Sequence, residues 1–129
     1  MTKHRFVRHS CEHAEQVKLF SWAAMSQLMI PQLDLMFAIP NGGYRYKATA
    51  ARLRAEGTKA GVPDIFLAYP CRGKHGLFIE MKSRYGRISK KQANVIGALR
   101  EAGYEVVVCR SFDEAREAIL NYLRGGEYG

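Results

Sequence analysis

Along this chain the apolar positions switch between a spacing of three or four residues and a spacing of two, and each switch predicts a new element. From Cys11 to about Ile30, Gln16, Leu19, Phe20, Ala23, Gln27 and Ile30 recur on one stripe, with Glu12 one turn before Gln16. That is a helix, with Ser10 placed to cap it and Pro31 to stop it. Residues 1–9, carrying Lys3, His4, Arg5, Arg8 and His9, read as a loose basic lead-in. Leu33 to Ile39 is a short apolar run that predicts a strand, ended by the turn formers Pro40-Asn41-Gly42-Gly43. Ala48 to Glu56 predicts a short helix closed by Gly57.

The middle of the chain alternates with a period of two. Ile65, Leu67 and Tyr69 share one face, and Asp64, Phe66 and Ala68 the other; Leu77, Ile79 and Met81 oppose Phe78, Glu80 and Lys82 in the same way. Pro70 to His75 is the connecting turn. If the hairpin is symmetric about Arg72, Phe66 faces Phe78 and Asp64 faces Glu80. Directly opposed carboxylates repel, so this register asks for a cation. A slip of one residue would separate the pair, leaving an ordinary hairpin with solvated charges.

The last third predicts three more elements. Ser89-Lys90-Lys91-Gln92 matches a capping box and opens a helix to about Ala102 that buries Val95, Ile96 and Leu99. Tyr104 to Cys109 is almost continuously apolar, as a central strand covered on both faces would be. Ser111-Phe112-Asp113-Glu114 is a second capping box, and its helix buries Phe112, Ala115, Ile119 and Tyr122 up to Leu123; residues 124–129 read as a frayed tail. The expected whole is one α/β domain, a small mixed sheet flanked by helices, without repeats or internal linkers.

Charge narrows the partners. Twenty Lys and Arg against 12 Asp and Glu leave a net +8, which favours a polyanion, nucleic acid before membrane. No apolar run approaches the length of a membrane span, and no leader pattern is present. Three cysteines without paired spacing, Cys11, Cys71 and Cys109, read as reduced thiols of a cytoplasmic protein. The densest basic region interleaves Arg45, Lys47, Arg52, Arg54 and Lys59 with Tyr44 and Tyr46 behind the Asn41-Gly42-Gly43 turn. Such a loop suits gripping phosphates and stacking on bases. Arg84 and Arg87 form a second basic turn after the hairpin.

Val62-Pro63-Asp64 followed by Glu80-Met81-Lys82 at a strand end resembles the PD-(D/E)xK nuclease signature. With Glu12 and Gln16 on the first helix, Pro40-Asn41-Gly42-Gly43 before Arg45, Glu56-Gly57, Ser89 with Gln92, and Gly103-Tyr104, the chain is similar to the virus-type replication-repair nuclease (VRR-NUC) family in its short, stand-alone phage form. The resemblance implies a restriction-endonuclease-like core, metal-dependent phosphodiester cleavage, branched or structured DNA as substrate, and pairing as a homodimer. Either Glu12 or Glu15 could supply the helix acid; the spacing to Gln16 favours Glu12.

Phosphodiester hydrolysis needs an activated water and relief of charge on the phosphate, which a divalent cation supplies. Asp64 and Glu80 as oxygen ligands suit Mg²⁺ or Mn²⁺; the resemblance implies the Met81 backbone carbonyl as a further ligand. Lys82 would orient the water and offset developing charge. Glu12 would bind through water or hold a second metal. Gln92 would either cap its helix or sit near Lys82 and the water, or do both. A zinc site from His9, Cys11, His13, Cys71 or His75 lacks any CxxC or HExxH spacing. A basic DNA-binding module without catalysis is the competing function, and it would gain nothing from two acids beside a polyanion. Trp22, Met25, Met29, Leu35 and Met36 exceed what one core face needs and point to a subunit interface.

Overall fold

The structure is a computed structural model that describes the backbone of residues 2–40 and 47–127 and the side chains of residues 12–40 and 49–124. A four-stranded mixed sheet runs in the order β1 (Met36–Ala38), β2 (Ile65–Leu67), β3 (Leu77–Met81), β4 (Glu105–Cys109). The first three strands are antiparallel and β4 lies parallel to β3. The helices are α1 (Thr2–Ser26), α2 (Lys47–Ala55), α3 (Lys90–Glu101) and α4 (Phe112–Glu127). The expected α/β architecture is present.

One sheet face carries the main core. Ile65, Leu67, Leu77, Ile79 and Met81 are buried there against Leu19 and Ala23 of α1 and Ala115, Ile119 and Tyr122 of α4. The Tyr122 hydroxyl, inside this core, donates to the Tyr69 carbonyl at 2.7 Å and ties α4 to the hairpin. The other face is lined by Phe37, Phe66 and Phe78, one from each antiparallel strand in register. Helix α3 packs on its β4 side, where Ile96 and Val106 are buried. Period-two alternation therefore divides the hairpin as expected, apolar to one side and aromatic-acidic to the other.

The hairpin register is Ile65↔Ile79, Phe66↔Phe78, Leu67↔Leu77. The symmetry about Arg72 holds through the strands. At the tip a tight turn over Arg72 and Gly73, both with positive φ (50° and 74°), pairs Cys71 with Lys74 instead. That shifts the register by one and leaves a bulge below the tip.

Several expected boundaries move. Helix α1 starts at Thr2, so residues 2–9 are helical and Ser10 lies inside the helix. It ends at Ser26, where the Ile30 N–H still reaches the Ser26 carbonyl at 2.8 Å. Pro31 then opens a 3₁₀ turn through Leu35, because its fixed φ and missing N–H suit a first helical position. Strand β1 is thus three residues, not seven. Helix α4 continues to Glu127 through the expected tail. Strand β4 is an edge strand rather than a central one. Its apolar run comes from helices packing on both faces, and the Arg100 guanidinium closes part of its open edge by donating to the Val106 carbonyl at 2.8 Å.

The capping box of α3 is complete: Ser89 Oγ accepts from the Gln92 N–H, and Gln92 Oε1 accepts from the Ser89 N–H. The second box is only half formed. Ser111 Oγ accepts from the Glu114 N–H, but the Glu114 carboxylate turns back to the Arg110 N–H. A further cap comes from α1, where Glu15 accepts from the Phe112 N–H, the next donor along, at 3.1 Å.

Candidate active site

Continuing the β2–β3 register by one residue sets Asp64 opposite Glu80. Backbone bonding decides how close they come. The Ile39 N–H donates to the Asp64 carbonyl and the Lys82 N–H to the Cys109 carbonyl, so Asp64 faces β1 and the even residues of β3 face β4. Asp64 and Glu80 therefore form a non-hydrogen-bonded pair, the type that brings side chains closest, with Cα atoms roughly 4.5 Å apart. The two acids meet by construction of the sheet.

Glu80 is only 2% exposed. Its carboxyl is pushed up to about 9, chiefly by burial, then by the hydrogen bond and charge of Asp64. Lys82, two residues on and on the same face, pulls it down, while the charge of Glu12 adds to the rise. Above its capping bonds, Gln92 also donates from Nε2 to Glu80 Oε1 at 3.2 Å. One amide thus starts α3, as its capping box predicts, and holds the buried acid.

Asp64 Oδ2 accepts from the Met81 N–H at 2.8 Å. In register, Met81 stands opposite Pro63, which has no N–H to return to the Met81 carbonyl. A residue's N–H and C=O point to the same side of a strand, so this carbonyl faces the same side as Asp64. Proline at 63 leaves an acceptor beside the acids. Gly61, at φ +91°, brings its backbone against α3: a Cβ there would stand 2.7 Å from the Lys91 carbonyl oxygen. The loop into Asp64 can pass under α3 only as glycine.

The two acids of α1 separate cleanly. Glu12 accepts from the Ser83 N–H at 3.0 Å, just past Lys82, and its charge is felt at Glu80. Glu15 is held ionised, its carboxyl below the ordinary range, by Lys18 at 2.9 Å and by the Phe112 N–H. Glu15 serves the fold and Glu12 lies by the acids. Among the described residues no three His, Cys, Asp or Glu side chains converge on one point that could hold a metal. The convergent oxygens are the Asp64 and Glu80 carboxylates with the Met81 carbonyl beside them. That hard, all-oxygen set fits Mg²⁺ or Mn²⁺, which bind through one or two carboxylates and keep several waters.

Past Lys82 the chain turns through Ser83 to Gly86. Arg110, at the end of β4 opposite Lys82, donates to the carbonyls of Ser83 at 2.8 Å and Gly86 at 2.6 Å. This anchor was not legible in the sequence, where Arg110 is one more cation; only the parallel pairing of β3 with β4 brings it there. The turn holds Arg84 and Arg87 exposed. Arg52 is exposed on α2 and pairs with Glu56 at 3.3 Å. Asn41, Gly42, Gly43 and Arg45 lie outside the described residues, as does the side chain of Lys47.

Of the apolar residues expected at an interface, Trp22 packs edge-on against Phe112 and Met36 is core. Met25 and Met29 are exposed together with Leu28, and Leu35 is half-exposed. Burial pushes the Cys109 thiol up to about 11, which makes it a poor nucleophile. No helix of the described residues is long and apolar enough to cross a membrane.

The VRR-NUC domain matches this chain over residues 12–113, from Glu12 to the start of α4. The chain belongs to the VRR-NUC family. A solved structure titled VRR_NUC domain protein is similar over 90% of each chain, at 26% identity and a TM-score of 0.77. No curated protein matches. This VRR-NUC domain is thus of nuclease type, and its matched span encloses every described residue of the acid cluster.

Proposed function

We propose that this VRR-NUC domain is a metal-dependent DNA endonuclease acting on branched or structured DNA. The observation that carries the reading is the opposition of Asp64 and buried Glu80 on one sheet face, with Lys82 two residues beyond. Such a pair costs stability in the metal-free protein and serves no packing purpose; a divalent cation held between the acids gives it one. Asp64, Glu80 and the Met81 carbonyl would hold Mg²⁺ or Mn²⁺, which when bound lowers the pKa of water and draws charge from the phosphate. Gln92 keeps the Glu80 carboxylate turned towards Asp64. Lys82 orients the attacking water and offsets charge on the phosphoryl oxygens. Glu12, engaged by the Ser83 N–H, acts on this site through water and fixes the start of the turn. Arg84 and Arg87, with Arg52, Arg45, Lys47 and the Asn41–Gly43 turn, bind the DNA backbone.

Cleavage of a four-way junction, flap, nicked and plain duplex in Mg²⁺, Mn²⁺ and EDTA tests the reading. Cutting in either metal, lost in EDTA and strongest on the branched substrates, is expected; binding without cutting in both metals would leave a DNA-binding module. Arg84→Ala and Arg87→Ala are expected to lower the slope of log affinity against log salt by roughly 0.9 for each duplex phosphate the variant no longer neutralises. An unchanged slope would return the turn to ordinary surface.

A junction is cut at two symmetry-related strands, and a two-fold pair of these domains presents two sites at fixed separation. The exposed Met25, Leu28 and Met29 at the end of α1 are the surface offered for that pairing. Sedimentation at micromolar protein is expected to give a dimer mass that Met29→Asp converts to monomer. Free, buried Cys71 and Cys109 suit the reducing cytoplasm.

A further inference from the structure

The aromatic row beside the acids is not explained by the chemistry of cleavage. Phe66 and Phe78 are stacked at 4.3 Å between ring centres, and Tyr104 packs edge-on against both at 6.0 and 5.3 Å. Phe37, at the β1 end, stands edge-on to Phe66 at 5.8 Å. Gly76 makes the row possible: a Cβ there would lie 2.6 Å from the Phe66 ring. The row therefore holds its rings rigidly while its outer member stays 50% exposed, next to half-exposed Leu35.

A phenylalanine on a sheet face is ordinarily covered, because its ring is among the largest apolar surfaces a residue can bury. Among the described residues, helix α3 packs on the β4 end of this face, and Phe37 at the β1 end is half-exposed. Position adds the second part of the argument. In register, Phe37 pairs with Phe66 and Phe66 with Phe78, while the next row on the same face is Ile39, Asp64 and Glu80. The two rows are two residues, roughly 7 Å, apart along the strands, and Phe37 lies one strand, roughly 4.8 Å, to the side of Asp64. That is about the reach of one nucleotide. A DNA strand with its scissile phosphate at Asp64 and Glu80, running towards β1, would carry a neighbouring base over this row.

We infer that Phe37, backed by Phe66 and Phe78, is a stacking platform for an unpaired nucleobase next to the phosphate at the acid pair. This rests on the nuclease reading for the place of the phosphate, and it narrows the substrate class. In paired duplex the base faces are already covered by their neighbours. An unpaired base at a branch or gap has a free π-face, and aromatic stacking accepts any base. The site would favour structured DNA without reading sequence.

The test measures binding in EDTA, where no cutting is expected, to a duplex with a short single-stranded gap and to the same duplex fully paired. Phe37→Ala is expected to weaken binding to the gapped duplex roughly tenfold, leaving the paired duplex unaffected. The salt slope should not change, since the variant neutralises the same phosphates. Phe37→Tyr should restore affinity and Phe37→Leu should not, because leucine keeps the apolar bulk without the ring face. A gapped duplex with abasic gap nucleotides should bind the wild-type protein as weakly as Phe37→Ala binds the intact gap, and the variant should lose nothing further.

Equal loss on both duplexes, rescue by leucine, or an additional abasic loss in Phe37→Ala overturns the platform. So does absence of DNA binding by the wild-type protein, or a fall in sedimentation mass in Phe37→Ala, which would seat a second copy of the chain on the ring. Cleavage is scored separately. A protein that shows the full stacking pattern but never cuts in Mg²⁺ or Mn²⁺ refutes the nuclease reading alone. One that cuts gapped DNA while Phe37→Ala behaves as wild type in every binding arm refutes the platform alone.

Discussion

Single replacement of Asp64, Glu80 or Lys82 by alanine is expected to reduce DNA cleavage by roughly a thousandfold or more, with the protein still folded and still binding DNA. The size follows from what each group does. On the proposed mechanism, loss of either carboxylate would remove half the charge that would hold a cation, and with it several kcal/mol of stabilisation at the phosphate. Loss of Lys82 would remove a positive charge proposed to offset the same oxygens. Folding should survive, since the main core is on the opposite sheet face and none of the three side chains belongs to it. Circular dichroism and DNA binding in EDTA separate lost chemistry from lost structure. Any one of the three cutting at the wild-type rate in Mg²⁺ would remove that residue from the proposed machinery. Gln92→Ala should be harder to read, because it removes both the cap of α3 and the hold on Glu80. Gln92→Glu keeps the capping bond while placing a third carboxylate at the site, and a larger loss of cleavage than of thermal stability is expected.

The second large effect is in pH. Glu80 titrates near 4.5 in the unfolded chain and at about 9 in the metal-free fold. Between those values the folded protein binds a proton that the unfolded chain lacks, so the slope of unfolding free energy with pH is negative. The contribution from Glu80 is complete below about pH 4.5 and is lost as pH rises through 9. Chemical denaturation of the metal-free protein should therefore show stability falling over this window. Glu80→Gln keeps the shape and the neutral charge, and should flatten that fall. A wild-type profile already flat between pH 5 and 9 would contradict the buried, protonated acid. The same proton must leave when a cation binds. Divalent-ion affinity, read by calorimetry, should rise roughly tenfold per pH unit below 9 and level off above it.

Much of the fold was legible because it depends on local periodicity. The α3 capping box, the Gly57 and Gly103 stops and the alternation of Ile65–Leu67 with Leu77–Met81 follow from one residue's neighbours in sequence, and the structure keeps them. The opposition of Asp64 and Glu80 was legible only as the symmetric choice about Arg72, since slips of two residues would also keep both apolar rows on one face; the structure adopts the symmetric register. The bulge at Cys71–Lys74 was not, because it depends on two positive φ angles at the tip and does not disturb the strands below.

What the sequence alone determined, then, is the set of chemical groups and the hairpin that opposes two of them. Its resemblance to VRR-NUC domains marks those groups as a candidate site. Tertiary structure decided the rest, for reasons of packing between elements distant in the chain. Helical spacing only favours Glu12 over Glu15; the approach of α1 to Ser83 and to the start of α4 is what sets Glu12 beside the acids and Glu15 at a cap. Arg110 becomes the anchor of the Ser83–Gly86 turn because β4 lies parallel to β3, and Phe37 stays half-exposed at the β1 end, away from the β4 end on which α3 packs. Periodicity places a side chain on a face, but which faces are then covered depends on contacts between segments 27 to 97 residues apart, and these no local pattern records.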